Sequence, residues 1–320
     1  MRTGSPGFDA YDDAMSNRVG MLIEFILSGR HQPRWSRRVQ IALVIVVSVA
    51  IGVASVLAWR SLPGDGPIQW RWIVGPAVVL VPATLGLNAA EYRLAGALGG
   101  VRVSTREAVR ISVLSTAANL MPVPGAVLVR MQGLRNKGVG TVAAARWSVT
   151  MGVAWLSVSL LAVGLLLVSA EPGYAVLLIG GGLVGVTFVA RLIARGRSVS
   201  EAVRLGGAVA LIQVAGAGQQ ALRMYLAFEA IGVQTGFVDA AAVSLSGVLA
   251  SAVGVMPAGL GLSEALAAAI GQVLGVGASQ SLVATTLVRF AGLAAAIPLA
   301  LVLLSAPVKS ERQEEPSHDI

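Results

Sequence analysis

The chain has 320 residues, 55% of them hydrophobic and only 12% charged, and its mean hydropathy is +0.77. A soluble domain carries about 25% charged residues, so the two ordinary soluble domains that the length would admit are excluded. Zero Cys excludes a disulfide scaffold, and the two His (His31 and His318) lie in the terminal segments, which excludes a His/Cys metal cluster and a His-based triad.

What remains is an all-α, polytopic helical membrane protein, because apolar runs of about 20 residues recur from residue 39 to residue 304. Runs such as Ile41 to Ala58 are continuously apolar, unlike the short alternating segments of a transmembrane barrel. A basic amino-terminal segment, 1–38, comes first. It places Arg30, Arg34, Arg37 and Arg38 directly before the first apolar run, with Trp35 among them. That is the layout of a juxtamembrane anchor on anionic headgroups. No short apolar region with a small-residue cleavage site follows the start, so a signal peptide is not expected. Composition predicts disorder for residues 1–20 and for the carboxy-terminal tail, 305–320. The net charge of +8 does not point to nucleic acid, since most of the 24 Lys and Arg sit beside apolar segments.

Within the membrane domain, 39–304, full spans are predicted at 39–59, 72–90, 147–169, 174–194, 208–230 and 281–304. Two further apolar stretches, 107–134 and 239–274, are each broken in the middle. With a cytoplasmic amino terminus and both broken stretches turning back, 20 basic residues fall inside and two, Arg60 and Arg71, fall outside. Only Arg223 and Arg289 remain within the membrane. The positive-inside rule then places both termini in the cytoplasm.

The first break reads Ala118-Asn-Leu-Met-Pro-Val-Pro-Gly-Ala126. Pro122 and Pro124 lack an N–H and disfavour helix before them, and Gly125 permits the reversal. Asn119, one turn earlier, satisfies backbone groups freed at the turn. The second break reads Val255-Met-Pro-Ala-Gly-Leu-Gly-Leu262, with Pro257, Gly259 and Gly261 in the same roles. Unpaired backbone cannot face lipid, so such breaks belong inside protein or against a watery cavity. Each region has Met-Pro, a Gly turn, a short helix, Gly-Val-Gly (138–140 and 275–277) and a long span with an Arg (Arg146 and Arg289). One hairpin enters from each side, which predicts an inverted repeat of re-entrant hairpins with the binding site where the broken helices meet. The bland alternative is that Pro and Gly merely kink membrane helices.

Ionisable residues in apolar spans suggest function. Glu264 opens the half-helix after the second break, where a carboxylate also caps a helix N-terminus. Arg289 lies mid-span, with Glu264 or a lipid phosphate as its natural partner. Arg130, on the returning arm of the first hairpin, either snorkels to the interface or serves the site. Gln213, Gly216, Gln220 and Arg223 share one face of the fifth full span. Interhelical hydrogen bonding explains the glutamines; a guanidinium this deep needs an anion or a ring of acceptors. Gly181 and Gly185 form a small-xxx-small pair for close helix approach. The buried Arg exceed the buried acids, so Arg130, Arg223, Glu264 and Arg289 are the expected contacts for an anionic lipid headgroup.

The segment from Ala118 through Arg130, and Met256-Pro-Ala-Gly-Leu-Gly-Leu-Ser-Glu264 with Arg289 downstream, resemble the flippase-like family, also described as the lysylphosphatidylglycerol synthase transmembrane region. The resemblance covers roughly residues 39–304. It implies a plasma-membrane bundle with re-entrant helices that moves anionic lipids, related members occurring beside glycan-assembly and polyprenyl-phosphate pathways. Many relatives carry Gly-Glu before the Arg of the first motif; this chain has Ala126-Val127 and keeps Arg130. Full-length synthases add a soluble aminoacyl-transferase domain, whereas 16 residues follow Leu304 here, so lipid synthesis is not expected. The expectation is therefore a translocase with membrane lipids and their anionic headgroups as partners. Neither a nucleotide-binding phosphate loop nor any cofactor is expected. Homo-oligomer and envelope-assembly partners are compatible with it. A non-transporting scaffold of an envelope or glycan pathway is the alternative. An enzyme is not expected, since the spans hold no Cys, no His and no paired carboxylates.

Overall fold

The computed structural model describes residues 68–118, 125–253 and 261–305, together with the helical positions Val53, Val56 and Arg60. The segment 1–38, most of the span predicted at 39–59 and the tail from 306 lie outside the described residues. Among the described residues every regular element is helical: α1 (Arg71–Leu98), α2 (Thr105–Ala118), α3 (Gly125–Arg135), α4 (Thr141–Leu166), α5 (Pro172–Ala194), α6 (Val199–Ala230), α7 (Phe237–Val253), α8 (Leu262–Val273) and α9 (Ala278–Ser305).

Four of these, α1, α4, α5 and α6, are long and apolar enough to cross a membrane. Their outward faces carry large exposed aliphatics, such as Val78 and Val79 on α1 and Val176, Leu177 and Val184 on α5. Such faces would be untenable in water and are the expected surface in lipid. Two helices outrun the predicted spans furthest. α1 continues eight residues past 90, and α6 begins nine residues before 208. A helix does not stop where hydrocarbon stops, because its hydrogen bonds are internal and its polar ends reach into the headgroup layer.

The two broken stretches each resolve into a pair of short helices that pack on one another, α2 with α3 and α7 with α8. At 14, 11, 17 and 12 residues, and about 1.5 Å per residue, each arm falls short of a hydrocarbon core about 30 Å thick. α7 runs through the protein interior: Ala240 through Ser246 are all buried, and α4, α6 and α8 surround it. Small side chains make that passage feasible. Serine and threonine are tolerated on these apolar helices because their hydroxyls bond back to a carbonyl of their own helix. Ser112, Ser115, Thr116 and Ser148 do so four residues back, Ser244 three back.

The apolar packing has one centre beside each hairpin. Tyr92, Leu134, Trp147 and Met151 anchor the cluster around the first, and Met224, Phe228, Val243 and Ala284 the cluster around the second. After both hairpins the matched Gly-Val-Gly segments agree at their first glycine and at the start of the next helix but differ at the last glycine, where φ is −57° at Gly140 and +102° at Gly277. Gly138 and Gly275 take φ of +87° and +75°. The carbonyls of Gly140 and Gly277 then accept the first hydrogen bonds of the following long helices, from Ala144 and Ser281. The arginines paired with them in the sequence reading are not equivalent. Arg146 lies in the second turn of α4 with its guanidinium 4.6 Å from the Trp147 ring, whereas Arg289 lies near the middle of α9.

α4 and α5 form a close helix pair, and the glycines that allow it differ from the expected pair. A Cβ on Gly182 would fall 2.8 Å from the Ser157 carbonyl oxygen, and one on Gly185 would strike the Ser157 side chain. Gly181 is exposed and a Cβ there would meet only Leu160, at 3.8 Å. Gly182→Ala is therefore expected to lower stability by about 1–3 kcal/mol through overpacking, while Gly181→Ala leaves it unchanged. Thermal unfolding of the two variants in detergent checks this, and equal effects would show that the contact is not decisive.

Candidate functional site

The first hairpin is closed at its tip by backbone proximity. A Cβ on Gly125 would run into the carbonyl of Ala118 at the end of α2. Gly125 is thus needed for close approach, and it is not among the glycines with positive φ, which corrects the expected conformational role. Asn119, Pro122 and Pro124 lie outside the described residues.

The returning arm α3 is held on α1 by two adjacent contacts. Arg130 Nη1 donates to Glu91 Oε1 at 2.5 Å, an ion pair with side chains only 20% and 11% exposed. One position along α1, the Tyr92 ring is buried with its hydroxyl against Gly133, where a Cβ would collide with it. Arg130 therefore neither snorkels alone nor adds uncompensated positive charge. This corrects the charge count made from the sequence, which ended the span at residue 90 and left Glu91 outside it.

The second hairpin is fixed by chemistry at the start of α8. Gly261 has φ of +80°, a conformation that suits glycine, and lets the chain turn directly into the helix. Glu264 reaches back so that its Oε2 accepts from the Gly261 N–H at 2.9 Å and from the Ser263 hydroxyl at 2.9 Å. Its other oxygen, Oε1, lies 3.2 Å from Arg289 Nη1 on α9. Arg289 Nη2 also donates to Ser263 Oγ at 2.5 Å. Glu264 is 3% exposed and Ser263 1%. Capping and charge pairing, two separate expectations for Glu264, are met by one carboxylate. Pro257 and Gly259 lie outside the described residues.

Arg223 is placed differently. Its Nη2 donates to the carbonyl of Val288 on α9 at 3.2 Å, and Gly292 leaves the space in which the guanidinium rests. It forms no ion pair with a carboxylate among the described residues. The guanidinium borders a cleft of about 340 Å³ between α1, α6 and α9, whose walls include Trp72, Pro76, Leu80, Leu226 and Val288. The structure thus joins Glu264 with Arg289, pairs Arg130 with Glu91 and leaves Arg223 facing an apolar cleft. The three arginines do not converge on one anion.

The glutamine stripe of α6 divides among several neighbours, because α6 packs against α1, α4, α5, α7 and α9. Gln220 lies against Gly247 of α7, and Gln213 is 2% exposed. Gln219, off the stripe and missed in the sequence, donates to the Leu80 carbonyl and to Thr84 Oγ1 on α1. At the far end of α1, Arg197 donates to the Leu98 carbonyl at 2.7 Å and lies 5.2 Å from the ring of Trp147. That contact satisfies an end carbonyl of α1 and joins it to the start of α4. No local signal marks the contacts of Glu91 with Arg130, Gln219 with Thr84 or Arg197 with Leu98, since these partners are 39 or more residues apart.

Among the described residues no group of three or more His, Cys, Asp or Glu is placed to hold a metal ion. No protein-family model, curated protein or solved structure matches this chain.

Proposed function

We propose that this helical membrane protein is a flippase-like translocase that moves an anionic phospholipid or a polyprenyl-phosphate-type lipid across the plasma membrane, with both termini cytoplasmic. The observation that carries the reading is the pair of broken-helix hairpins, each joined to a long helix by a buried ion pair, Arg130 to Glu91 and Glu264 to Arg289. In an alternating-access cycle one repeat rocks against the other about a fixed site. Charge pairs in low dielectric are suited to that motion, because they define discrete engaged and released states. The sequence resemblance to the flippase-like family supports the same reading, and the inverted repeat is part of the proposal.

The test is headgroup accessibility in proteoliposomes, with short-chain labelled anionic phospholipids, polyprenyl phosphates and a zwitterionic control. Faster movement of one anionic class than in protein-free vesicles, reduced by Arg289→Lys, supports translocation. Equal rates with and without folded protein for every lipid would overturn it.

A second reading, a non-transporting scaffold of an envelope or glycan assembly pathway, draws on one observation. Arg130 and Arg289 each have a carboxylate partner, which packing alone would require. The same experiment separates the two, since a scaffold moves no lipid.

A further inference from the structure

Arg223 is the cation that the two ion pairs leave over, and the geometry around it is that of a subsite rather than of a packing contact. A guanidinium has five N–H donors, and among the described residues Arg223 uses one, toward the Val288 carbonyl. It lies seven residues before the end of α6, about 10 Å in along the helix, too deep for a solvated charge in lipid. Its wall mates in the cleft are apolar, and the α1 surface beside the cleft continues as exposed Val74 and Val78. The space of about 340 Å³ includes the open mouth of the cleft, so little of it is enclosed. A phosphate can reach Arg223 only from that open mouth, with its acyl chains outside along the valines.

We infer that the α1–α6–α9 cleft is a laterally open subsite for the phosphate of one anionic membrane lipid, held by Arg223 alone. This rests on the translocase reading for its purpose and deepens it. The charge recognised is a single phosphate, and Arg130 and Arg289 are latches of the hairpins, not headgroup ligands. Commitment to a lipid over a soluble phosphate follows from the walls: a cleft with one cation among apolar side chains, opening beside exposed aliphatics, solvates a chain-bearing phosphate and not a fully hydrated one. Under the positive-inside expectation this end of α1 and α6 is the external one, so the subsite serves the outer leaflet.

Trp72 in the cleft wall supplies the readout. The full chain is reconstituted in phosphatidylcholine nanodiscs containing a small fraction of phosphatidylglycerol with brominated acyl chains, or of equally brominated phosphatidylcholine. The quenching assigned to Trp72 is the difference between wild type and Trp72→Phe. The brominated anionic lipid is expected to quench Trp72 at roughly tenfold lower mole fraction than its zwitterionic counterpart, the scale of one charge-assisted contact. Arg223→Gln is expected to abolish that preference. Gly292→Ala, which pushes on the guanidinium while leaving its charge, is expected to weaken it, and Arg130→Gln to leave it intact. Equal quenching by the two lipids in wild type, or a preference that survives Arg223→Gln with unchanged thermal unfolding, would overturn the inference. Relief of quenching by millimolar glycerol phosphate would also overturn it, by showing a soluble ligand. Selective quenching without lipid movement in proteoliposomes would remove the translocase reading and keep the subsite. Movement without selective quenching would do the reverse.

Discussion

Glu264→Ala is expected to destabilise the protein by about 3–5 kcal/mol, the cost of leaving one member of a buried ion pair uncompensated. The carboxylate holds the Gly261 N–H, the Ser263 hydroxyl and the Arg289 guanidinium at once. Its removal therefore frays the start of α8 and takes the carboxylate away from Arg289 on α9 in the same stroke. The double variant Glu264→Ala/Arg289→Leu is expected to recover most of the loss, because no buried charge is left. Thermal unfolding of the two single variants and the double variant in detergent forms the cycle. A double variant as unstable as the sum of the singles would show that capping, and not the ion pair, carries the effect. Glu264→Gln keeps an acceptor for Gly261 and Ser263 but cannot carry charge. If lipid movement by this variant stays as pH-dependent as in wild type, Glu264 does not carry a coupling proton.

The second large effect is expected at the other latch. Glu91→Ala leaves Arg130 without its carboxylate. With side chains 11% and 20% exposed, some solvent compensates, so about 2–3 kcal/mol is expected, below the fully buried case. The exchanged pair Glu91→Arg/Arg130→Glu is expected to restore more than half of that loss, since the charges meet again from the same two helices. Hydrogen exchange on α3 reports the contact directly: protection falls in the single variant and returns in the exchanged one. Unchanged protection in Glu91→Ala would show that Tyr92 against Gly133, and not the charge pair, seats the hairpin.

These two latches were unequally legible. Glu264 and Arg289 were readable as partners because few ionisable groups occur in the later spans, and a buried charge must find an opposite one. Glu91 was not, because a boundary at residue 90 placed it outside the membrane while the helix carries it on to Leu98 against α3. The same limit explains the glycines. Small residues signal close helix approach, yet only the rotation of α5 against α4 selects Gly182 and Gly185 over Gly181.

The sequence by itself determined the class of molecule, the four long apolar helices α1, α4, α5 and α6 and the division of both broken stretches into helix pairs, because hydropathy, the missing N–H of proline and the freedom of glycine are local properties of the chain. It could not determine which face of each helix turns inward. In lipid the outward face is as apolar as the buried one, so the periodicity that orients a helix in a soluble protein is absent. Only the tertiary structure set those rotations. They give Arg130 a carboxylate 39 positions earlier, turn Gln219 toward α1 and bring Glu264 to Arg289. They also leave Arg223 against an apolar cleft, donating to the Val288 carbonyl.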